Sequence, residues 1–130
     1  ALPILIRAQD HNVWLLDWCY AIVNPARTGQ GFRCLNEEYS PPEVAARKPP
    51  LPAADLYSLG KCMLYVLGGD PQHRTLPPSE PIPDPLQRFL QFCVLDSPLA
   101  RAQDAWEAYR YLDRLREELW GPHQFIELTL

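Results

Sequence analysis

At 130 residues, the chain is long enough for one domain built around a single hydrophobic core. Its formal net charge of −4 at pH 7 argues against nucleic acid or an anionic membrane surface as the main partner, because both are bound through basic patches. The four cysteines contain no C-x-x-C pair, so we interpret them as reduced thiols and predict a cytoplasmic protein.

The first 52 residues divide into a hairpin and a segment without hydrophobic periodicity. The stretch "ILIRAQDHNVWLLDW" predicts two short strands, Ile4–Arg7 and Val13–Leu16, joined by a turn at Asp10-His11-Asn12. From residue 17 to residue 52 no period is found. Long segments without secondary structure are uncommon inside a compact domain, so this one is predicted to be either disordered or functional.

A helix with apolar residues on every side is predicted next. It runs from about Asp55 to Leu67 and ends at Gly68-Gly69, a usual glycine signal for a helix C-terminus. A surface helix has one apolar stripe and one polar face, and this helix has no continuous polar face. We therefore expect protein to surround it on all sides. The apolar set is Leu56, Leu59, Cys62, Met63, Leu64, Val66 and Leu67.

Two more helices follow, and each has a recognisable start. The second opens at Asp84-Pro85, an acidic cap followed by proline in the first turn. The third opens at Asp104 with Glu107 three residues later, which is the spacing of a capping box. It ends before Gly121-Pro122.

Four short motifs occur in an order that is typical of one family. They are "VWLLDWC" with Asp17 in place of the D-F-G aspartate, "YSPPE" (Tyr39 to Glu43), "DLYSLG" (Asp55 to Gly60) and "LDSPLAR" (Leu95 to Arg101). The last three are similar to Y-x-A-P-E, D-x-W-S-x-G and D-P-x-x-R. Together they resemble the C-terminal lobe of a eukaryotic-type serine/threonine protein kinase.

The resemblance implies a mainly α fold in one domain, residues 1–130. A short β-hairpin (1–16) would be followed by a long activation-type segment (17–43) and by helices (53–130) around a buried central helix. It also implies that the N-terminal lobe and the catalytic base lie upstream, so no catalytic residue is expected in this chain.

Roles for four residues follow from the resemblance. Asp17 would be a metal ligand, and Glu43 would form a buried bidentate ion pair with Arg101. Asp55 would cap the backbone of the catalytic loop, since a carboxylate accepts several N–H bonds in a water-poor site.

Further positions match the family's motifs without a chemical role. Tyr39, Pro42 and Gly60 are structural by resemblance. If the upstream lobe supplies a catalytic loop, Thr28 is the candidate phosphosite, because it is the only threonine between Asp17 and Glu43.

Departures from the family pattern favour a pseudokinase that acts in protein binding or regulation. Pro3 stands where the family has a magnesium-binding asparagine, and Cys19 replaces the flexible glycine that follows the aspartate. No cofactor is then expected for this chain. Two alternatives stay open: a divergent active serine/threonine kinase, which would use ATP and magnesium, and an unrelated helical protein-interaction domain.

The partners expected from this interpretation are proteins. In the family, a helix that precedes the catalytic loop covers part of the central helix. Without it, one apolar side of that helix and of the hairpin would lie open. The sequence therefore predicts self-association, or binding of the upstream N-terminal lobe or of a partner protein, and no binding of nucleic acid or membrane.

Overall fold

The computed structural model describes residues 4–77 and 81–126, and within them the chain is mainly helical with one two-stranded sheet. The mainly α fold class is therefore confirmed. None of the described helices is long and apolar enough to cross a membrane. The elements in chain order are β1 (Ile4–Ile6), β2 (Val13–Leu15), α1 (Pro25–Thr28), α2 (Pro42–Ala45), α3 (Pro52–Val66), α4 (Asp84–Cys93) and α5 (Ala105–Trp120), with 3₁₀ turns at Trp18–Tyr20 and Pro98–Ala100.

The hairpin lies where the sequence predicts it. Strands β1 and β2 pair antiparallel, with Leu5 opposite Trp14. The connection is closed by the amide of His11, which donates to the carbonyl of Arg7 at 2.8 Å, and His11 adopts a left-handed backbone with φ of 54°. Every strand residue is exposed on both faces of this small sheet.

The segment predicted to lack periodicity contains short helical turns. A 3₁₀ turn covers Trp18–Tyr20, and α1 and α2 are single turns of four residues each. Both α1 and α2 begin with proline at the first helical position, where a missing N–H leaves no hydrogen bond unmade. One turn is too short to produce a hydrophobic period, so periodicity could not reveal these elements.

Helix α3 begins at Pro52, three residues before the predicted start, because proline fits the first turn of a helix. The prediction that protein surrounds this helix on every side is wrong. Leu59, Tyr65 and Val66 are exposed, Val66 at 81%. Helices α4 and α5 pack against α3, and among the described residues no segment covers these three side chains. The buried residues are Ala53, Ala54, Leu56, Tyr57, Gly60, Lys61 and Leu64.

The hydrophobic core lies where α3, α4 and α5 meet. One cluster joins Tyr57 and Leu64 of α3 to Leu90, which is completely buried. A second cluster joins α4 to Leu115 of α5. The core therefore holds the three long helices together and leaves the hairpin outside it.

Both α4 and α5 start where the sequence predicts, but only α5 has the predicted cap. Asp84 lies inside the first turn of α4, after Pro83, and no side-chain hydrogen bond caps that helix. Helix α4 begins at Asp84, and Asp104 caps α5 by accepting the amide of Glu107 at 2.7 Å. The Glu107 carboxylate in turn accepts the amide of Gln103 at 2.8 Å. This reciprocal arrangement resembles a capping box and satisfies amide groups at the helix start.

Candidate functional site

A buried ion pair joins the end of the 17–43 segment to the residues before α5. The Arg101 guanidinium donates to both carboxylate oxygens of Glu43, at 2.6 and 3.0 Å. Both side chains are almost completely withdrawn from solvent. The same guanidinium donates to the backbone carbonyls of Ala53 (3.1 Å), Leu95 (2.6 Å) and Asp96 (3.0 Å). The fork geometry of arginine allows this planar set of five hydrogen bonds, which a lysine could not make.

The ring of Tyr57 packs against this ion pair. The guanidinium of Arg101 lies 4.7 Å from the ring centroid, and the ammonium group of Lys61 lies 5.6 Å from it. Positive charges near an aromatic face are stabilised by the ring quadrupole. The buried ring of Tyr57 therefore contacts two cationic side chains, Arg101 and Lys61.

Two side chains of α3 hold residues 36–43 at a second point. The hydroxyl of Ser58 donates to the carbonyl of Tyr39 at 3.0 Å, and the ammonium group of Lys61 donates to the carbonyl of Glu38 at 2.9 Å. Lys61 also donates to the carbonyl of Pro71. Lys61 is buried, and no carboxylate pairs with it in the described part of the chain. Burial, followed by the nearby charge of Arg74, lowers the pKa of its ammonium group.

The turn that leads into the ion pair is fixed by its own side chains. The amide oxygen of Asn36 accepts the backbone N–H groups of Glu38 (3.1 Å) and Tyr39 (3.0 Å). The hydroxyl of Ser40 accepts the amide of Asn36 at 2.9 Å. Such bonds from a side chain to the nearby backbone are a usual property of asparagine and serine in turns. Residues 36–43, which we call the tethered segment, thus have a defined shape and two anchors.

The other motif residues, Tyr39, Pro42 and Gly60, belong to turns and helices of the fold. Pro42 is the exposed first residue of α2, and Tyr39 is half-buried. Gly60 lies where α3 crosses α4, and a Cβ atom added to it would be 2.7 Å from the Cβ of Cys93. That distance is shorter than real Cβ contacts, so only glycine permits this approach of the two helices.

Asp55 does not have the surroundings that the resemblance implies for it. Its side chain is exposed in the first turn of α3, and it accepts no hydrogen bond from another side chain in the described residues. Neighbouring protein still raises the pKa of its carboxyl group by desolvation. A carboxylate near the start of a helix is favoured by the helix dipole, and this is the interaction that α3 offers it.

Asp17 is exposed, and it does not belong to a group of side chains that could bind a metal ion. It precedes the turn at Trp18–Tyr20 in a left-handed conformation with φ of 58°. Across the described residues, no three His, Cys, Asp or Glu side chains are close enough to hold a metal ion. The Cys19 thiol lies beside Asp17, and a hydrogen bond to that carboxylate raises the pKa of the thiol. Pro3, which stands where the family has its magnesium-binding asparagine, lies outside the described residues.

Thr28 is exposed at the end of α1. Its hydroxyl contacts the carbonyl of Asn24 at 3.3 Å, one turn earlier in the chain. Arg27 is adjacent and also exposed. A modifying enzyme could therefore reach this hydroxyl, which is a requirement for a phosphosite and not evidence for one.

Sequence reasoning missed the anchoring role of Ser58 and Lys61, the two α3 side chains that form the second anchor of the tethered segment. Ser58 lies within "DLYSLG", and Lys61 follows that motif directly. The available signal was a lysine within an otherwise apolar helix. A lysine is almost never fully buried without partners, so its position predicts hydrogen-bond acceptors around it.

Comparisons with protein-family models, with curated proteins and with solved structures gave no match to this chain.

Proposed function

We propose that this chain is the C-terminal lobe of a protein-kinase-like domain that acts in protein binding or regulation, as pseudokinases do. The observation that carries the proposal is the set of bonds made by Arg101. They join "YSPPE", through Glu43, and the first turn of the "DLYSLG" helix, through Ala53, to "LDSPLAR". A chance likeness of short motifs does not require them to meet in space. Here "YSPPE" and "LDSPLAR" meet at one guanidinium, and Tyr57 of "DLYSLG" packs against it at 4.7 Å.

The donor set around Asp17 argues against a metal-assisted reaction by residues of this chain. Phosphoryl transfer in kinases needs two magnesium-binding residues, and Mg²⁺ requires near-octahedral oxygen ligands. Asp17 is a single exposed carboxylate without a second suitable side chain grouped with it in the described residues. These residues do not fit the metal, so the proposal assigns no catalytic step to them.

Exposed apolar surface supports a role in protein binding. The hairpin exposes every strand side chain, including Trp14 at 54%, and α3 adds Leu59 and Val66. A two-stranded hairpin is marginally stable by itself, and its free edges can pair with another strand. For the isolated chain we propose a second copy as the occupant, paired through the edges of the hairpins. In a larger protein, the N-terminal lobe of the kinase-like domain would cover this surface.

Sedimentation velocity over a range of micromolar concentrations tests the binding surface. We expect reversible self-association that Trp14→Glu abolishes, because a charge on an edge strand opposes strand pairing. The matched control is Leu99→Glu, since Leu99 is 79% exposed on a different part of the surface. A wild-type chain that stays monomeric throughout and binds no apolar dye would contradict the proposed surface.

Calorimetry with ATP and magnesium separates the proposed pseudokinase from an active kinase. We expect no saturable heat, because the described residues group no magnesium ligands with Asp17. Saturable binding at micromolar ATP, lost in Asp17→Asn, would instead favour the divergent active kinase.

A further inference from the structure

A proline-rich strip, Lys48-Pro49-Pro50-Leu51-Pro52, leads into α3, and its last residue is the first residue of that helix. Lys48, Pro49 and Leu51 each precede a proline, which restricts them to extended or polyproline II backbone. Leu51 is observed extended, with φ of −128° and ψ of 150°. The strip is therefore stiff before any partner arrives, and little conformational entropy remains to be lost on binding.

The strip presents two of its three edges to solvent. Polyproline II has three residues per turn, so residues three apart lie on one edge. Leu51, with φ of −128°, is more extended than ideal polyproline II (φ of about −75°), so the strip follows this arrangement approximately. Pro49 and Pro52 form one edge and are both exposed. Lys48 and Leu51 form a second edge, also exposed, and Pro50 is half-buried on the third. The protein thus holds the strip by Pro50 and leaves a P-x-x-P edge available.

The backbone of the strip is available as well. The carbonyl groups of Lys48, Pro49 and Pro50 accept no hydrogen bond from any described residue. A partner could therefore donate to them directly, without breaking an existing bond. Unpaired carbonyls on an exposed extended segment are typical of peptides that bind in a groove.

The charge at the start of the strip defines the partner further. Arg47 and Lys48 are both exposed, and neither forms an ion pair within the described residues. The chain as a whole is acidic, so this pair of cations is a local exception. A binding groove with acidic residues beside it would match these two charges.

We propose that residues 47–52 are a docking site for a small protein domain whose aromatic-lined groove binds polyproline II and has an acidic rim. Aromatic grooves of this kind bind P-x-x-P segments in SH3 and WW domains. Pro49 and Pro52 would occupy the groove, and Arg47 and Lys48 would contact its acidic rim. The proposal rests on the geometry of the strip and does not depend on the kinase-like assignment.

The test is an NMR titration of the ¹⁵N-labelled 130-residue chain with a panel of purified SH3 and WW domains whose grooves have acidic rims. We expect at least one domain to bind saturably, with the largest shift changes in residues 46–52. Pro49→Ala should weaken that binding by about tenfold, the scale of losing one anchoring contact. Lys48→Glu should weaken it too, and the remaining affinity should fall less with added salt, since an attractive charge is gone.

The matched control is Pro81→Ala, an exposed proline in a second proline-rich stretch that is followed by the acidic Asp84. It should leave the affinity unchanged. Binding that is insensitive to Pro49→Ala would overturn the proposal, and so would the absence of saturable binding throughout the panel. Amide spectra of each variant would show that the fold is retained.

Discussion

Replacement of Arg101 by alanine should remove the strongest polar tether in the molecule. Loss of one partner from a buried ion pair costs about 3–5 kcal/mol, because the other charge is left without compensation. Here the carbonyls of Ala53, Leu95 and Asp96 lose a donor as well. A buried carbonyl without a hydrogen-bond donor lowers the free energy of unfolding by about 1–3 kcal/mol, and water that enters the vacated space offsets part of this loss. We therefore expect a total loss of about 4–6 kcal/mol, against a typical domain stability of about 5–15 kcal/mol.

Urea unfolding followed by circular dichroism and tryptophan fluorescence would measure this loss. If Arg101→Ala is too unstable to purify, Arg101→Lys keeps the charge but loses the bidentate geometry, and a smaller loss is expected. The variant Glu43→Ala completes a double-mutant cycle. The double variant should be about 2 kcal/mol more stable than the sum of the single losses predicts, because neither charge is then left alone.

The control is Arg110→Ala, since Arg110 is an exposed arginine on α5. Its effect should stay within about 0.5 kcal/mol. Equal losses for Arg101→Ala and Arg110→Ala, or strictly additive effects at Glu43 and Arg101, would refute the idea that this pair carries the tether.

Three further outcomes are expected. Gly60→Ala should cost about 1–3 kcal/mol in urea unfolding, because its Cβ would lie 2.7 Å from the Cβ of Cys93, whereas Gly31→Ala has nothing within 4 Å and should be tolerated. Burial lowers the pKa of Lys61 below its usual 10.5, so the unfolded chain binds more protons just below that pH. Stability should therefore rise with pH through this window, and the rise should be missing in Lys61→Met; an identical pH profile would count against a buried ammonium group. Burial raises the pKa of Cys93 to about 11, so a thiol reagent at neutral pH should label the exposed Cys34 and spare Cys93 until the chain unfolds.

The sequence predicted the secondary structure best where a local chemical signal was strong. Helix α5 begins after the cap Asp104, which accepts an amide of the first turn. Helix α4 begins at Asp84, where an acidic side chain and a proline in the first turn favour a helix start. The pairing of Glu43 with Arg101 came from motif resemblance, and the structure places the two side chains in contact. No local rule connects residues that are 58 positions apart.

The failures have a physical reason as well. An apolar side chain such as Val66 shows that burial would be favourable, but it does not show whether a neighbour is present. For this reason the apolar sequence of α3 did not reveal that one side of the helix is exposed. For Asp55, the resemblance supplied a role whose partner, the catalytic loop, is not among the described residues. The carboxylate therefore stays at the surface, and an Asp55→Ala variant should lose little stability.

The bonds of Arg101 also have a consequence for the order of folding. Two of its acceptors, Leu95 and Asp96, are five or six residues away, whereas Ala53 and Glu43 are 48 and 58 residues away. Closing the long loops costs chain entropy before the contact is gained, so the distant bonds should form late. Removing Glu43 should then accelerate unfolding and leave the folding rate almost unchanged. The ion pair would thus determine how long the native state lasts more than how quickly it is reached.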